Sequence, residues 1–455
     1  MRNDLSEEYI IGAKKSVRNV DVKIVTNDDK ITYTTDDIIS MSIARSITDS
    51  SFGIGFTQSD RLTFTVNASD KIPKNTRCTV YVKFGNSDFE RLGRFYSDEC
   101  TRDGSSVTVV AYDIMYRQTK KTVNFNGVPA KEVPKLTFPC TMQDMLDYIC
   151  KYRGLTCDFK CQDFAVQKRP KKSDDTFYTV REILGFIAAS HGCNAKIDNE
   201  GKLNFAPFSE AEYELSADDV IDIKIDDSEP FEITGVLFTG LTDPNEDGDA
   251  SIYIDDVEGS EYDEDALGVI ICNDPLASVE IANYVWNRIG GLSYYGGSII
   301  QRGMGILECG DVITVGNLKY PADTEDYKLC ITGINYSFSA SDGFTETITS
   351  QADKSSETMS GSSVSASGGK REPTLMIANV APPETGDFIV GDCWAIPGED
   401  ELCTLYVYIG SEGWELHEDK AKLDAVPTPA DGSYLMAVPM SSALRCRCFI
   451  PKNLT

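Results

Sequence analysis

Between residues 20 and 125 apolar and polar positions alternate in short runs, the period of a strand with one buried face. Val20–Val25, Ser42–Ile47, Arg61–Val66, Thr79–Phe84, Arg91–Tyr96 and Ser106–Tyr112 are the predicted strands, rich in Val, Ile, Thr and Tyr. Asn27-Asp28-Asp29, Lys71–Lys74 and Asp103-Gly104 supply turns between them. Gly93–Ser97 and Val107–Tyr112, joined through Asp103-Gly104, read as a hairpin. Strands at such near-regular spacing predict a small barrel or sandwich.

The period then changes. After Thr141-x-x-Asp144, a capping-box start with Asp in place of Glu, the apolar positions Met145, Leu146 and Ile149 fall at helical spacing. Thr179-x-x-Glu182 starts a second such segment, with Ile183, Leu184, Ile187 and Ala188 as its stripe. The two align without gaps. Thr141, Asp144, Leu146, Ile149 and Gly154 stand against Thr179, Glu182, Leu184, Ile187 and Gly192, each Gly where a left-handed helix stop is expected. This reads as a duplicated helix unit or as two amphipathic helices alike by chance. Ala195–Ile197, a turn at Asp198–Gly201 and Lys202–Ala206 then read as a hairpin.

Residues 216–350 return to strands at Val220–Ile225, Ile233–Phe238, Ser251–Ile254, Val312–Val315, Tyr327–Tyr336 and Thr345–Ser350. One helix interrupts them, with Pro275 near its start, Val279, Ala282, Tyr284, Val285 and Ile289 as apolar positions, and Gly290-Gly291 as its stop. Between Ala352 and Glu372 lie seven Ser and three Gly with hardly an apolar residue, the composition of a linker. The predicted fold is α+β and β-dominated: two barrel-like β domains flank an α/β insertion, and a small β module ends the chain. The expected boundaries are 1–135 and 216–351 for the β domains, 136–215 for the insertion, 352–378 for the linker and 379–455 for the module.

Composition narrows the function. The 455 residues carry a formal charge of −29, which excludes a broad phosphate-binding surface, because such binding rests on Lys and Arg. The same charge suits a wall past which DNA slides without sticking. Fourteen cysteines, with a polar Met1–Asp21 that lacks a signal-peptide core, predict a chain made in a reducing cytosol with free thiols. Two histidines, His191 and His417, complete no zinc spacing, and no apolar run is long enough to span a membrane.

Two patterns carry candidate chemistry. Asp243, Asn245, Asp247 and Asp249 place oxygens at alternate positions with Gly248 sixth, as a calcium loop requires. The twelfth position is Ile254 instead of Glu, and the flanks read as strands. Residues 241–270 hold eleven acids and no Lys or Arg, so a solvated acidic hairpin tip accounts for the pattern equally. In the terminal module Trp394, Tyr406, Tyr408 and Trp414 form either a sugar-stacking or partner-docking platform or the core of a small domain. No nucleophile elbow, zincin, phosphate-loop or dinucleotide motif is present, and the chain is expected not to be an enzyme.

Several blocks together resemble the hub proteins of long-tailed bacteriophages. Gly93-Arg94-Phe95-Tyr96 followed by Val107–Val110 and Ala111-Tyr112-Asp113 is similar to their G-x-[FY] … v-x-v-x-A-x-D stretch. Tyr178–Leu184 with Ile187-Ala188 and Gly192, running into Asp198-x-x-Gly201-x-Leu203-x-Phe205, is similar to a helix–hairpin that recurs in phages of Gram-positive hosts. Glu308-x-Gly310-Asp311-x-Ile313-x-Val315 and Leu329–Tyr336 resemble the late strands of the second hub domain. Val390-Gly391-Asp392-Cys393-Trp394, Leu405–Tyr408 and Gly410-Ser411-x-Gly413-Trp414 resemble a unit of tail-fibre and receptor-binding proteins.

The resemblance implies a homotrimer at a virion tail tip, assembled in the host bacterial cytoplasm. Its paired domains would ring a channel for DNA or tape-measure protein, between the six-fold tail tube and a three-fold spike or fibre. The other reading the sequence leaves open is a carbohydrate-binding adhesin using Trp394, Trp414 and Tyr408.

Overall fold

The computed structural model describes most of residues 2–352, except short stretches of which 242–250 and 317–325 are the longest. Beyond 352 it describes the strands Thr374–Ile377, Cys393–Pro397, Leu402–Tyr408, Trp414–Lys422 and Met436–Pro439. The fold is α+β and β-dominated, with four α-helices among the described residues. The chain divides into two compact units, Met1–Gly368 and Gly369–Thr455.

Alternation along the first unit becomes burial of alternate residues. The strands β1 (Val20–Thr26), β2 (Ile31–Tyr33), β3 (Ile38–Ser46), β4 (Arg61–Asn67), β5 (Arg77–Phe84), β6 (Glu90–Asp103) and β7 (Ser106–Tyr112) cover the predicted set and add β2. In β4, Leu62, Phe64 and Val66 are buried while Arg61, Thr63 and Thr65 are partly exposed. The β6–β7 hairpin turns at Asp103-Gly104, with Asp103 opposite Ser106, and a register shift at Ser97/Glu99 bends it.

All these strands belong to one eleven-stranded sheet, and its other four strands come from far along the chain. Its order is Val220–Ile225, Gly297–Arg302, Gly343–Ser350, Gly333–Ser339, β3, β4, β7, β6, β5, β1, β2. The seam between early and late strands is β3 against Gly333–Ser339, antiparallel from Ser46 opposite Gly333 to Ser40 opposite Ser339. Tyr327–Tyr336, expected as one strand, is therefore two. Asp326–Cys330 pairs with Val312–Gly316, and after Ile331-Thr332 the chain crosses into the large sheet. The corner is held because Ile331 N–H donates to Asp311 O and Thr332 N–H donates to Thr349 O.

The helices follow their start and stop signals. α1 (Glu7–Lys14), which sequence pattern does not announce, is capped by Ser6. α2 (Met142–Arg153) and α3 (Val180–Ala189) each carry a reciprocal capping box, Thr141 with Asp144 and Thr179 with Glu182. Gly154 and Gly192 take φ of 68° and 62°, the left-handed stops expected of them. The two helices differ in setting. α2 keeps an exposed side, whereas every residue of α3 is buried. Burying Ile183, Leu184 and Ile187 contributes about 1.5–3 kcal/mol each. α4 (Val279–Ile289) buries Ile281, Ala282, Val285 and Ile289 and begins at the Ser278 cap.

The hairpin after α3 is Cys193–Ile197 with Leu203–Pro207, and Gly235–Thr239 lies between Ser251–Ile254 and Val269–Asn273 in a three-stranded sheet. The second unit is a five-stranded sheet in the order Trp414–Lys422, Leu402–Tyr408, Cys393–Pro397, Thr374–Ile377, Met436–Pro439.

Candidate functional site: a buried polar joint in the first unit

Three segments far apart in sequence meet in a buried polar joint. Arg45, near the end of β3, and Asp60, just before β4, form an ion pair of 3.2 Å between side chains that are 7% and 10% exposed. Arg45 also donates to the carbonyl of Leu92 and lies over the ring of Tyr336 at 5.5 Å. The Tyr336 hydroxyl donates to Leu307 O at 3.0 Å. One arginine thus ties β3 to the start of β6, to β4 and to a late strand.

Asp60 is clasped from its other side by Asp113. Asp60 N–H donates to Asp113 Oδ2 at 2.8 Å, and Asp113 N–H returns a bond to Asp60 O at 3.1 Å. Asp113 Oδ1 accepts from Met115 N–H at 2.8 Å, so the same carboxylate starts the turn after β7. Burial pushes both carboxyls well above the usual range, and the Asp60 charge adds to the rise at Asp113.

The insertion hairpin reaches the late strands through Lys196. Its ammonium contacts Glu308 Oε2 at 3.3 Å and donates to Cys309 O at 2.9 Å, while Asn199 Nδ2 donates to Glu308 Oε1 at 3.2 Å. The Lys196 charge, outweighing burial, holds the Glu308 carboxyl down to about 2. Glu308 N–H in turn donates to Asp311 Oδ2 at 2.8 Å. Gly310 sits there at φ +99°, where an added Cβ would stand 2.8 Å from the Ala206 Cβ. Only Gly lets that turn lie against the hairpin.

A second polar cluster fastens the N-terminal segment. Glu346 Oε1 accepts from Gln301 Nε2 at 2.7 Å and from Met304 N–H at 3.0 Å, and burial raises its carboxyl to about 7. Tyr9 of α1 donates to Met304 O at 2.9 Å, and Arg2 N–H donates to Ile306 O at 3.0 Å.

These residues are not the ones that motif reading singled out. Asp243, Asn245, Asp247 and Asp249 lie outside the described residues. Their flanks are paired strands, Thr239 opposite Ser251, rather than a helix–loop–helix frame. Among the described residues no cluster of three or more His, Cys, Asp or Glu side chains could hold a metal ion. In the terminal module the register sets Trp394 opposite Tyr406 and Tyr408 opposite Trp414.

His191 is a structural residue. Its Nδ1 donates to Ile187 O at 2.7 Å and its Nε2 accepts from Gln162 N–H at 2.9 Å, a pattern that only the neutral ring satisfies. Burial lowers its pKa in the same direction.

The joint had a signal in the motif letters. Asp113 ends the Ala111-Tyr112-Asp113 block, Glu308 and Gly310 open the late block, and Gly93 opens the early one. A Cβ at Gly93 would stand 2.7 Å from the Phe95 ring and 3.0 Å from the Arg45 guanidinium. Tyr336 ends the Leu329–Tyr336 block, whereas Arg45, Asp60 and Lys196 carried no such mark.

No family model matches the chain. No curated protein matches it either. Among solved structures, the chain is similar to a 43 kDa tail protein of prophage MuSo2 from Shewanella oneidensis. That match has a TM-score of 0.46 and 16% identity over 73% of this chain and all of the other. A tail protein from Neisseria meningitidis matches with a TM-score of 0.47 and 12% identity, covering 73% of this chain and 97% of the other. A prophage tail protein from Listeria monocytogenes matches with a TM-score of 0.42 and 15% identity, covering 74% of this chain and 95% of the other.

Proposed function

We propose that the chain is the structural hub of a phage or phage-like tail tip, joining a tail tube to distal spike or fibre components. The observation that carries this reading is the shared sheet. The Gly93–Tyr112 stretch and Gly333–Tyr336, the ends of the two blocks on which the resemblance to tail hubs rests, lie in strands of one eleven-stranded sheet, while Val312–Gly316 and Asp326–Cys330 pair in a three-stranded sheet. A joint between two symmetries must transmit load without hinging. Seven consecutive residue pairs between β3 and Gly333–Ser339 supply a seam for that, and the buried polar joint locks it in register. The mechanism is geometric, and three copies would close a ring whose acidic character lets DNA pass.

Native mass spectrometry of the purified chain tests the reading, with a trimer expected. A chain that stays monomeric at high concentration, and is absent from tail particles made by its own host, would overturn it.

The terminal module supports a docking role. The register that sets Trp394 against Tyr406 and Trp414 against Tyr408 concentrates four aromatic residues on three adjacent strands. Glycan-array binding lost on Trp414→Ala would shift the reading to a carbohydrate-binding adhesin. The acidic loop of Asp243, Asn245, Asp247 and Asp249 remains a proposed calcium site, tested by calorimetric titration with calcium.

A further inference from the structure

One face of the large sheet carries a row of cations and aromatics. Across the adjacent strands β4, β7, β6 and β5 the register sets Arg61 opposite Tyr112, Tyr112 opposite Tyr96, and Tyr96 opposite Arg77. The residues that alternate with them, Leu62, Ala111, Phe95 and Cys78, are buried in the core, so the row lies on the opposite face. The turn after β7 adds two more members. Tyr116 stacks on Tyr112 with ring centroids 4.1 Å apart, and the Arg117 guanidinium lies 3.9 Å from the centroid of Tyr96. All six residues are partly exposed.

The cations of this face are unanswered. The chain holds 72 Asp and Glu against 43 Lys and Arg, yet among the described residues neither Arg61 nor Arg117 has a carboxylate partner. Arg117 Nη2 donates to the neutral Asn75 Oδ1 at 2.9 Å, and Asp98 of β6 pairs with Lys74 at 2.7 Å. Arginine and tyrosine, half-desolvated on a rigid sheet, are the composition of an interface hot spot. A guanidinium stacked on an aromatic ring still offers its N–H edge to a carboxylate.

We propose that this face is a docking surface for a second copy of the chain, and that it receives the neighbour's acidic stretch at residues 255–263. The inference rests on the reading of the chain as a tail hub whose copies close a ring. Two chains of charge −29 repel each other, so they associate where opposite charges meet locally. The acidic stretch offers Asp256 and Glu261, both exposed, within residues 241–270, which hold no Lys or Arg. Val257 and Leu267 of the same region are 60% and 62% exposed, apolar surface to set against the tyrosine rings. The two patches are different surfaces of one chain. The contact is therefore heterologous, the kind that builds rings of copies rather than two-fold dimers.

Charge exchange on the full-length chain, read by sedimentation and native mass spectrometry, is the test. Arg61→Glu with Arg117→Glu, and separately Asp256→Arg with Glu261→Arg, are each expected to weaken self-association by about 100-fold. All four substitutions in one chain leave the net charge at −29 and exchange the signs across the contact. Association is then expected to recover to within about tenfold of the wild type. Carbodiimide coupling of the wild type, in a mixture of isotope-labelled and unlabelled chains, gives a readout that needs no variant to fold. Lys120 or Lys121, exposed just after Arg117, is expected to join Asp256 or Glu261 of the other isotope. Oligomers that survive both reversals, or that couple without residues 255–263, overturn this contact and leave the hub reading standing. A wild type that stays monomeric overturns both.

Discussion

Nε of Arg45 lies 3.2 Å from Oδ2 of Asp60, and the pair sits where β3, β4 and a strand some 290 residues later in the chain, Gly333–Ser339, converge. A buried charge left without its partner costs about 3–5 kcal/mol, far more than a surface pair contributes. Arg45→Met removes the counter-charge of Asp60 and also the bond to Leu92 O. Chemical denaturation at neutral pH is expected to show a loss of that size. Asp60→Asn with Arg45→Met should recover part of it, because no unpaired charge then remains. A double mutant no more stable than Arg45→Met alone would remove the pair from the account.

Glu346 gives the fold a pH dependence of one sign. Burial raises its carboxyl to about 7, above its value in the unfolded chain. The unfolded state releases the proton first, so the stabilisation is full below about pH 4.5 and is lost as pH rises through 7. The contribution is on the order of 3 kcal/mol. Glu346→Gln is expected to flatten the denaturation midpoint between pH 5 and 8, while the wild-type midpoint falls over that range. Equal slopes in the two proteins would show that Glu346 does not titrate there.

Glu308 acts in the opposite direction. The Lys196 ammonium holds its carboxyl down to about 2, so its stabilisation is present above about pH 4.5 and lost as pH falls toward 2. Lys196→Met leaves Glu308 without its main counter-charge. The variant is expected to lose stability at neutral pH by about 2–3 kcal/mol and to unfold less steeply in acid than the wild type. The check is a midpoint series from pH 2.5 to 7 on both proteins.

What the sequence makes legible here is local. Thr141 with Asp144 and Thr179 with Glu182 announce two helices, because a capping box is written within four residues, and Gly154 and Gly192 announce their ends. α1 escapes because the segment is held by contacts made elsewhere: Tyr9 of the helix donates to Met304 O, and Arg2, ahead of the helix, donates its N–H to Ile306 O. The break at Ile331-Thr332 escapes for the same reason, since both residues are apolar-compatible with a strand and only their partners Asp311 and Thr349 turn the chain. The polar joint is the extreme case. Its members are charged residues that pattern assigns to the surface, and only pairing across the fold makes their burial tolerable. Motif letters preserved Asp113, Glu308 and Gly310 without revealing what they hold.

Gly185 offers the sharpest test of how the insertion sits on the first β region. It lies in the middle of α3, where Gly weakens a helix by about 1 kcal/mol relative to Ala. By propensity alone Gly185→Ala should therefore stabilise. The packing reverses that sign. A Cβ at Gly185 would lie 2.5 Å from the carbonyl oxygen of Gly55, and backbone at that distance must shift. The Gly55 segment has little room to yield. Gly55 N–H donates to Cys193 O, and a Cβ at Gly55 would itself stand 3.0 Å from the Ala189 Cβ. Neighbouring Arg181 anchors the same face through Thr57 O and Gln58 Oε1. Overpacking of this kind costs about 1–3 kcal/mol, which exceeds the propensity gain. Gly185→Ala is expected to lower the denaturation midpoint, with hydrogen exchange accelerated in α3 and at Gly55 and unchanged in the β6–β7 hairpin. A stabilised variant would mean that α3 docks on the sheet less closely than this contact requires.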